Sequence, residues 1–195
     1  MIKLRNTVAV IALATSLSAC MAMDGETGMN GSQSASTVMV GGAAMFPTRN
    51  IVENAVNSRD HTTLVAAVQA AGLAETLSGP GPFTVFAPTN AAFAKLPAGT
   101  VQTLLRPENK ATLASVLTYH VVSGRMSAAD LMAAVRAGGG TAALTTVNGG
   151  TLTARMSGGN LVLTDAKGGR STVTQADVFQ SNGVIHVTNA VSLPA

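Results

Sequence analysis

Few side chains in this 195-residue chain have the types and spacing for chemistry. There are three histidines, His61, His120 and His186, a single tyrosine, Tyr119, and a single cysteine, Cys20. No two histidines stand at a spacing such as H-E-x-x-H, which would set both on one helix face around a metal. Serines and acids are present, but no G-x-S-x-G elbow lifts a nucleophile onto a strained turn. The run AGGGTA (137–142) lacks the G-K-[S/T] ending of a phosphate loop and reads as a helix stop and turn. Five of the nine methionines (Met21, Met23, Met29, Met39 and Met45) fall near the N-terminus. Thioethers suit Cu(I), but Met21-x-Met23 is one short pair without histidine support. No metal, cofactor or enzymatic activity is therefore expected.

The histidines have structural readings. His61, just after a helix cap, reads as a solvated surface residue. His186 lies between Ile185 and Val187 on a strand, so alternation turns it away from both, and it reads as buried and hydrogen-bonded. Tyr119 and His120 are adjacent in a segment that reads as extended, so at most one of them should be readily exposed. On that reading His120 is buried and holds its strand by hydrogen bonds.

Cys20 stands apart because of what precedes it. Lys3 and Arg5 make a short basic start, Val8 to Ala14 a compact apolar run, and Leu17-Ser18-Ala19 a small-residue approach to the cysteine. Basic, apolar, small is the order of a secretion signal, and the apolar run is far short of the roughly 20 residues that span a bilayer. The ending L-S-A-C resembles the lipobox of bacterial lipoproteins. The resemblance implies that residues 1–19 are removed and that the acylated Cys20 becomes the first residue of the mature chain. Two or more acyl chains anchor a protein stably, so the membrane is an expected partner through Cys20. No thiol then remains for a disulfide, and the fold must be held by its core. Processing removes Lys3 and Arg5 and no acid, so the net charge falls from +3 to +1. No cluster of Lys and Arg with interleaved aromatics exists, and nucleic acid is not an expected partner. Met21, where retained inner-membrane lipoproteins carry aspartate, favours the outer membrane in a Gram-negative cell. Otherwise a periplasmic or secreted location is expected.

Residues 21 to about 36 are small and polar and read as a flexible tether. Residues 37–47 (TVMVGGAAMFP) can be more tether or an ordered lead-in, so the tether is drawn as 20–47 and the domain as 48–195. Asn50 and Asp60 read as caps of two helices, the second carrying Leu64, Val65, Val68 and Ala71 up to Gly72. Phe83 to Phe86 reads as a strand stopped by Pro88, and Thr89 or Asn90 starts a helix with Phe93 and Leu96. Helical segments follow to residue 118, broken at Pro107, and Ser127 caps another. After Thr141 come short β-branched runs at 142–147, 151–156, 160–164, 170–174, 176–179 and 184–191. Asn148-Gly149, Gly158-Gly159 and Gly168-Gly169 mark hairpin turns between them. Helices first and strands later give an α+β class.

Three segments resemble one family. GPFTVFAPTNAAFAKLP (81–97) and SNGVIHVTNAVSLP (181–194) are similar to the two signature blocks of fasciclin-like domains, and LTYHVVSG (117–124) resembles their central Tyr-His segment. The resemblance implies a β-sandwich-like core flanked by helices. It also implies a non-enzymatic adhesion or interaction role, with an unknown protein or glycan as partner. In matrix proteins the matching Tyr-His segment is associated with cell adhesion and integrin contact, so Tyr119 and His120 are the candidate interaction residues. The alternative is an enzyme or small-ligand carrier built on an apolar pocket between sheet and helices. A deep pocket with converging polar groups of shifted pKa would favour that alternative.

Overall fold

The computed structural model describes residues 37–195. The expected signal peptide (1–19), Cys20, the tether to residue 36 and Met21, Met23 and Met29 lie outside the described residues. Residues 37–47 form a hairpin of β1 (Val38–Val40) and β2 (Ala43–Met45). Val40 and Met45 enter the core, whereas Met39 faces solvent.

A helical layer follows. α1 (Ile51–Ala55) opens with a capping box in which Asn50 and Glu53 bond each other's backbone. α2 (Thr62–Ala71) ends at Gly72 in the left-handed conformation. Its expected cap, Asp60, does not serve: Arg59–His61 form a 3₁₀ turn, and Asn90 Oδ1 accepts from Thr63 N instead, at 3.0 Å. Then come α3 (Ala74–Ser78), strand β3 (Phe83–Pro88), α4 (Asn90–Phe93), α5 (Thr100–Leu104) and α6 (Lys110–Tyr119). β4 (Val121–Ser123) precedes α7 (Ala128–Ala137), which Ser127 and Asp130 cap as a box.

The second half is strands: β5 (Thr141–Thr145), β6 (Thr151–Ser157), β7 (Asn160–Thr164), β8 (Arg170–Gln180) and β9 (Gly183–Thr188). The sheet order is β4-β3-β9-β8-β7-β6-β5. Only β3 and β9 pair in parallel. A Cβ on Gly183 would collide with the Phe83 carbonyl, so that pairing requires glycine where β9 starts. The two outer strands also meet: Val122 bridges Thr146, and Val147 N donates to Val121 O at 2.7 Å. The α+β class and the flanking helical layer are as expected, and the sandwich-like core is one sheet curled into a barrel-like form. This contact brings the two outer edges of the sheet together at one end.

Residues 170–179 read from sequence as two runs but form one bulged strand. Asp177, at φ 59°, occupies the bulge, and its Oδ1 accepts from Ala128 N at the start of α7 at 2.7 Å. The bulge moves β8 from one core to the other. Val173 packs inside the barrel with Phe86, Tyr119, Leu131, Leu152 and Leu163, while Val178 packs under the helices with Leu64, Val85, Leu117 and Ile185. β3 and β9 separate the two clusters and are buried on both faces, as their nearly unbroken apolar sequences demand.

Candidate functional site

Many polar side chains of the two signature blocks bond groups within the fold. Thr84 Oγ1 donates to Gly124 O (2.6 Å) and accepts from Met126 N (2.9 Å). Thr89 caps α4 by accepting from Ala92 N. Asn90 accepts from Thr63 N and donates to Arg59 O and Thr62 Oγ1. In the second block, Asn182 accepts from Ile51 N at the start of α1 and donates to Leu77 O and Gly79 O at the end of α3. Asn189 Oδ1 accepts from Thr172 N. These side chains fasten helices and neighbouring strands by bonds that span up to 131 residues of sequence.

His186 belongs to the same scheme. Its Nε2 meets Met126 O at 2.9 Å, and Asp177 N donates to its Nδ1 at 3.3 Å. A carbonyl can only accept, so the proton sits on Nε2. The ring stacks on Phe86 with centroids 5.6 Å apart. Burial lowers its pKa, outweighing the opposing pull of the Met126 carbonyl and Asp177.

Tyr119 and His120 lie where α6 hands over to β4. Tyr119 is the last helical residue and His120 the C-cap, so the extended segment starts at Val121, later than the sequence reading placed it. Helical geometry turns both residues inward, with Tyr119 0% and His120 3% exposed. Tyr119 Oη donates to Thr151 O (2.6 Å) and accepts from Ala166 N (3.1 Å). Its ring lies against Gly150, where a Cβ would come within 2.6 Å of Cε2. His120 Nδ1 donates to Val116 O (2.8 Å), and Nε2 accepts from Ser192 N (3.0 Å). Burial holds its pKa below the ordinary value although Val116 O and Asp165 pull the other way. Asp165 completes the node: Oδ1 accepts from Lys167 N and Gly169 N, and Oδ2 accepts from Leu193 N. Sequence reasoning passed over Asp165, although an aspartate four residues before the second of two glycines is the signal of a side-chain-closed turn.

Tyr119→Phe removes one hydroxyl that serves two backbone partners inside the domain. Thermal or urea unfolding should show a loss of about 1–3 kcal/mol with the fold retained. An unchanged midpoint would show that the hydroxyl contributes nothing to the node.

His61 corrects the surface reading. It is 3% exposed because the 3₁₀ turn tucks it beneath α2. Ser58 Oγ lies 2.8 Å from Nδ1, and Nε2 has no hydrogen-bond partner among the described residues. Burial lowers the pKa of His61, opposed by the Ala87 carbonyl and Asp60. The ring lines a cleft between α1 and α2 with a cavity of about 60 Å³. Sheet residues Val85 and Ile185 and helix residues Val52 and Val65 form its walls, and His120 lies in the same lining. The structure therefore places His61 and His120 around one cavity and His186 apart from it. Among the described residues no three His, Cys, Asp or Glu side chains gather as a metal site. No described helix is long and apolar enough to cross a membrane.

The signature blocks, the closed sheet and the helical layer agree with the comparisons to known proteins. The Synechocystis sp. protein sll1483 is 48% identical over 158 residues, 81% of this chain and 81% of that protein. The cell surface glycolipoprotein MPB83 of Mycobacterium bovis is 54% identical over 55 residues, 28% of this chain and 24% of its own length. A solved FAS1 domain pair from the insect cell adhesion molecule fasciclin I shares the fold. It has a TM-score of 0.65 and 17% identity, over 73% of this chain and 50% of that one. The fasciclin domain family matches residues 59–194, and the chain belongs to that family.

Proposed function

We propose that the chain is a non-enzymatic interaction module, tethered by lipid on Cys20 at the bacterial cell envelope and binding a protein or glycan there. The observation that carries this reading is the destination of the signature polar groups. Thr84, Asn90, Asn182, His186 and Asn189 all bond the domain's own backbone, which suits a scaffold that presents surfaces. The names of two similar proteins, a cell surface glycolipoprotein and a cell adhesion molecule, support it.

The sequence L-S-A-C supports the anchor. In a bacterial host the native chain should sediment with membranes, and Cys20→Ser should move to the soluble exported fraction. A Cys20→Ser protein that still sediments contradicts the tether. Tyr119 and His120 serve the interaction from inside, by holding the strands that carry the surface. Immobilised native domain and Tyr119→Phe should then retain the same envelope component. Loss of that component with unchanged stability would make the pair a direct contact.

One observation favours a second reading, a carrier of small ligands. The cleft between α1 and α2 has apolar walls and two histidines whose pKa values burial depresses.

A further inference from the structure

We propose that this cleft binds a small, neutral, largely aliphatic molecule bearing one hydrogen-bond acceptor, whose oxygen is taken by Nε2–H of His61. The proposal rests on the second reading above and gives it a ligand class. It begins from an accounting of protons. Ser58 is 2% exposed, and among the described residues its hydroxyl has one hydrogen-bond partner, His61 Nδ1. If Nδ1 carried the proton, the serine hydrogen would have no acceptor and Nε2 would hold an unused lone pair. If Nε2 carries it, the serine donates to Nδ1 and one group alone is left over, Nε2–H. The second arrangement leaves fewer buried polar groups unsatisfied and is the one favoured. The Ala87 carbonyl pulls in the same direction without forming a hydrogen bond of acceptable geometry. A buried donor without a partner is costly, and a ligand oxygen would recover that cost after a small turn of the ring.

The rest of the site sets the ligand's other properties. The lining includes no Lys, Arg, Asp or Glu, so neither an anion nor a cation finds a counter-charge. The walls are aliphatic, from Val52, Leu64, Val65, Leu117 and Ile185. The volume of about 60 Å³ is less than half of the roughly 150 Å³ that holds benzene in an engineered cavity. That suits a fragment of a few carbons, or the branched end of a longer molecule entering between α1 and α2.

The test uses the native full-length protein and two probes of one shape, 2-butanone and 2-methyl-1-butene, in which a methylene replaces the carbonyl oxygen. Long-range proton–nitrogen NMR should show His61 as the Nε2–H tautomer. Titration with 2-butanone should shift the methyls of Val65 and Ile185 in the millimolar range and move the Nε2 resonance. The alkene should shift the methyls and leave Nε2 unmoved. In His61→Leu the ketone-to-alkene affinity ratio should fall about two- to tenfold. An Nδ1–H tautomer, or an Nε2 signal indifferent to the ketone while both probes bind, overturns the proposal and leaves the carrier reading standing. If neither probe binds, both fall.

Discussion

Replacing Asp165 with alanine should destabilise the folded protein by about 3–5 kcal/mol. The carboxylate is 8% exposed and accepts from three backbone N–H groups at 3.0, 2.7 and 2.8 Å. Two of these close the turn between β7 and β8, and the third comes from Leu193 in the C-terminal tail. Hydrogen bonds to a charged group contribute about 1.5–3 kcal/mol each, and all three donors would lose their charged acceptor. The loss would also spread. Ser192 N, next to Leu193, donates to His120, and Ala166 N, next to Asp165, donates to Tyr119. Asp165→Asn keeps the shape and one acceptor oxygen and should cost about half as much. Urea unfolding of the three proteins measures both differences. A cost below about 1 kcal/mol for the alanine variant would mean that the turn and the tail hold themselves.

The second large effect is with pH. His61, His120 and His186 are all buried, and burial is the leading cause that lowers each pKa from 6.5. Asp60, Asp165 and Asp177 respectively pull each value upward without overcoming it. Between the lowered value and 6.5 the unfolded chain binds more protons than the folded one, so stability rises with pH there. Their contribution is fully present above about pH 6.5 and is lost as pH falls through the folded values. Each histidine adds a slope of at most about 1.4 kcal/mol per pH unit. Urea midpoints taken from pH 8 to pH 5 should therefore fall steeply below pH 6.5. His186→Gln should be less stable at pH 8 and show a shallower fall. A flat profile, or greater stability at pH 5.5 than at pH 7.5, contradicts neutral buried histidines.

Local signals in the sequence carried much of the fold. Asn50 and Ser127 cap their helices, Gly72 ends α2, and the glycine pairs mark the hairpins, because each effect acts within a few residues. Long-range placement was harder to read. Asp60 had the form of a cap, but Asn90 supplies the acceptor from across the helical layer. His61 looked solvated because nothing nearby in sequence shows that a 3₁₀ turn folds it beneath α2. The Tyr-His pair looked like strand because Val121 and Val122 follow it, whereas helix α6 continues through Tyr119. The bulge at Asp177 split one strand into two apparent runs, since a residue at positive φ breaks the alternation that marks a strand. Asp165 carried a turn signal, but its bond to Leu193 joins segments 28 residues apart. The candidate site was thus visible as residues, and its geometry depended on contacts between distant parts of the chain.

The proposed placement of this domain at an envelope surface depends on Cys20 more than on any other residue. Mass spectrometry of the N-terminal peptide from membrane-associated protein tests it most directly. The expected result is a chain beginning at Cys20 with acyl chains attached. An unmodified Cys20 thiol, or a mature chain starting elsewhere, would contradict it.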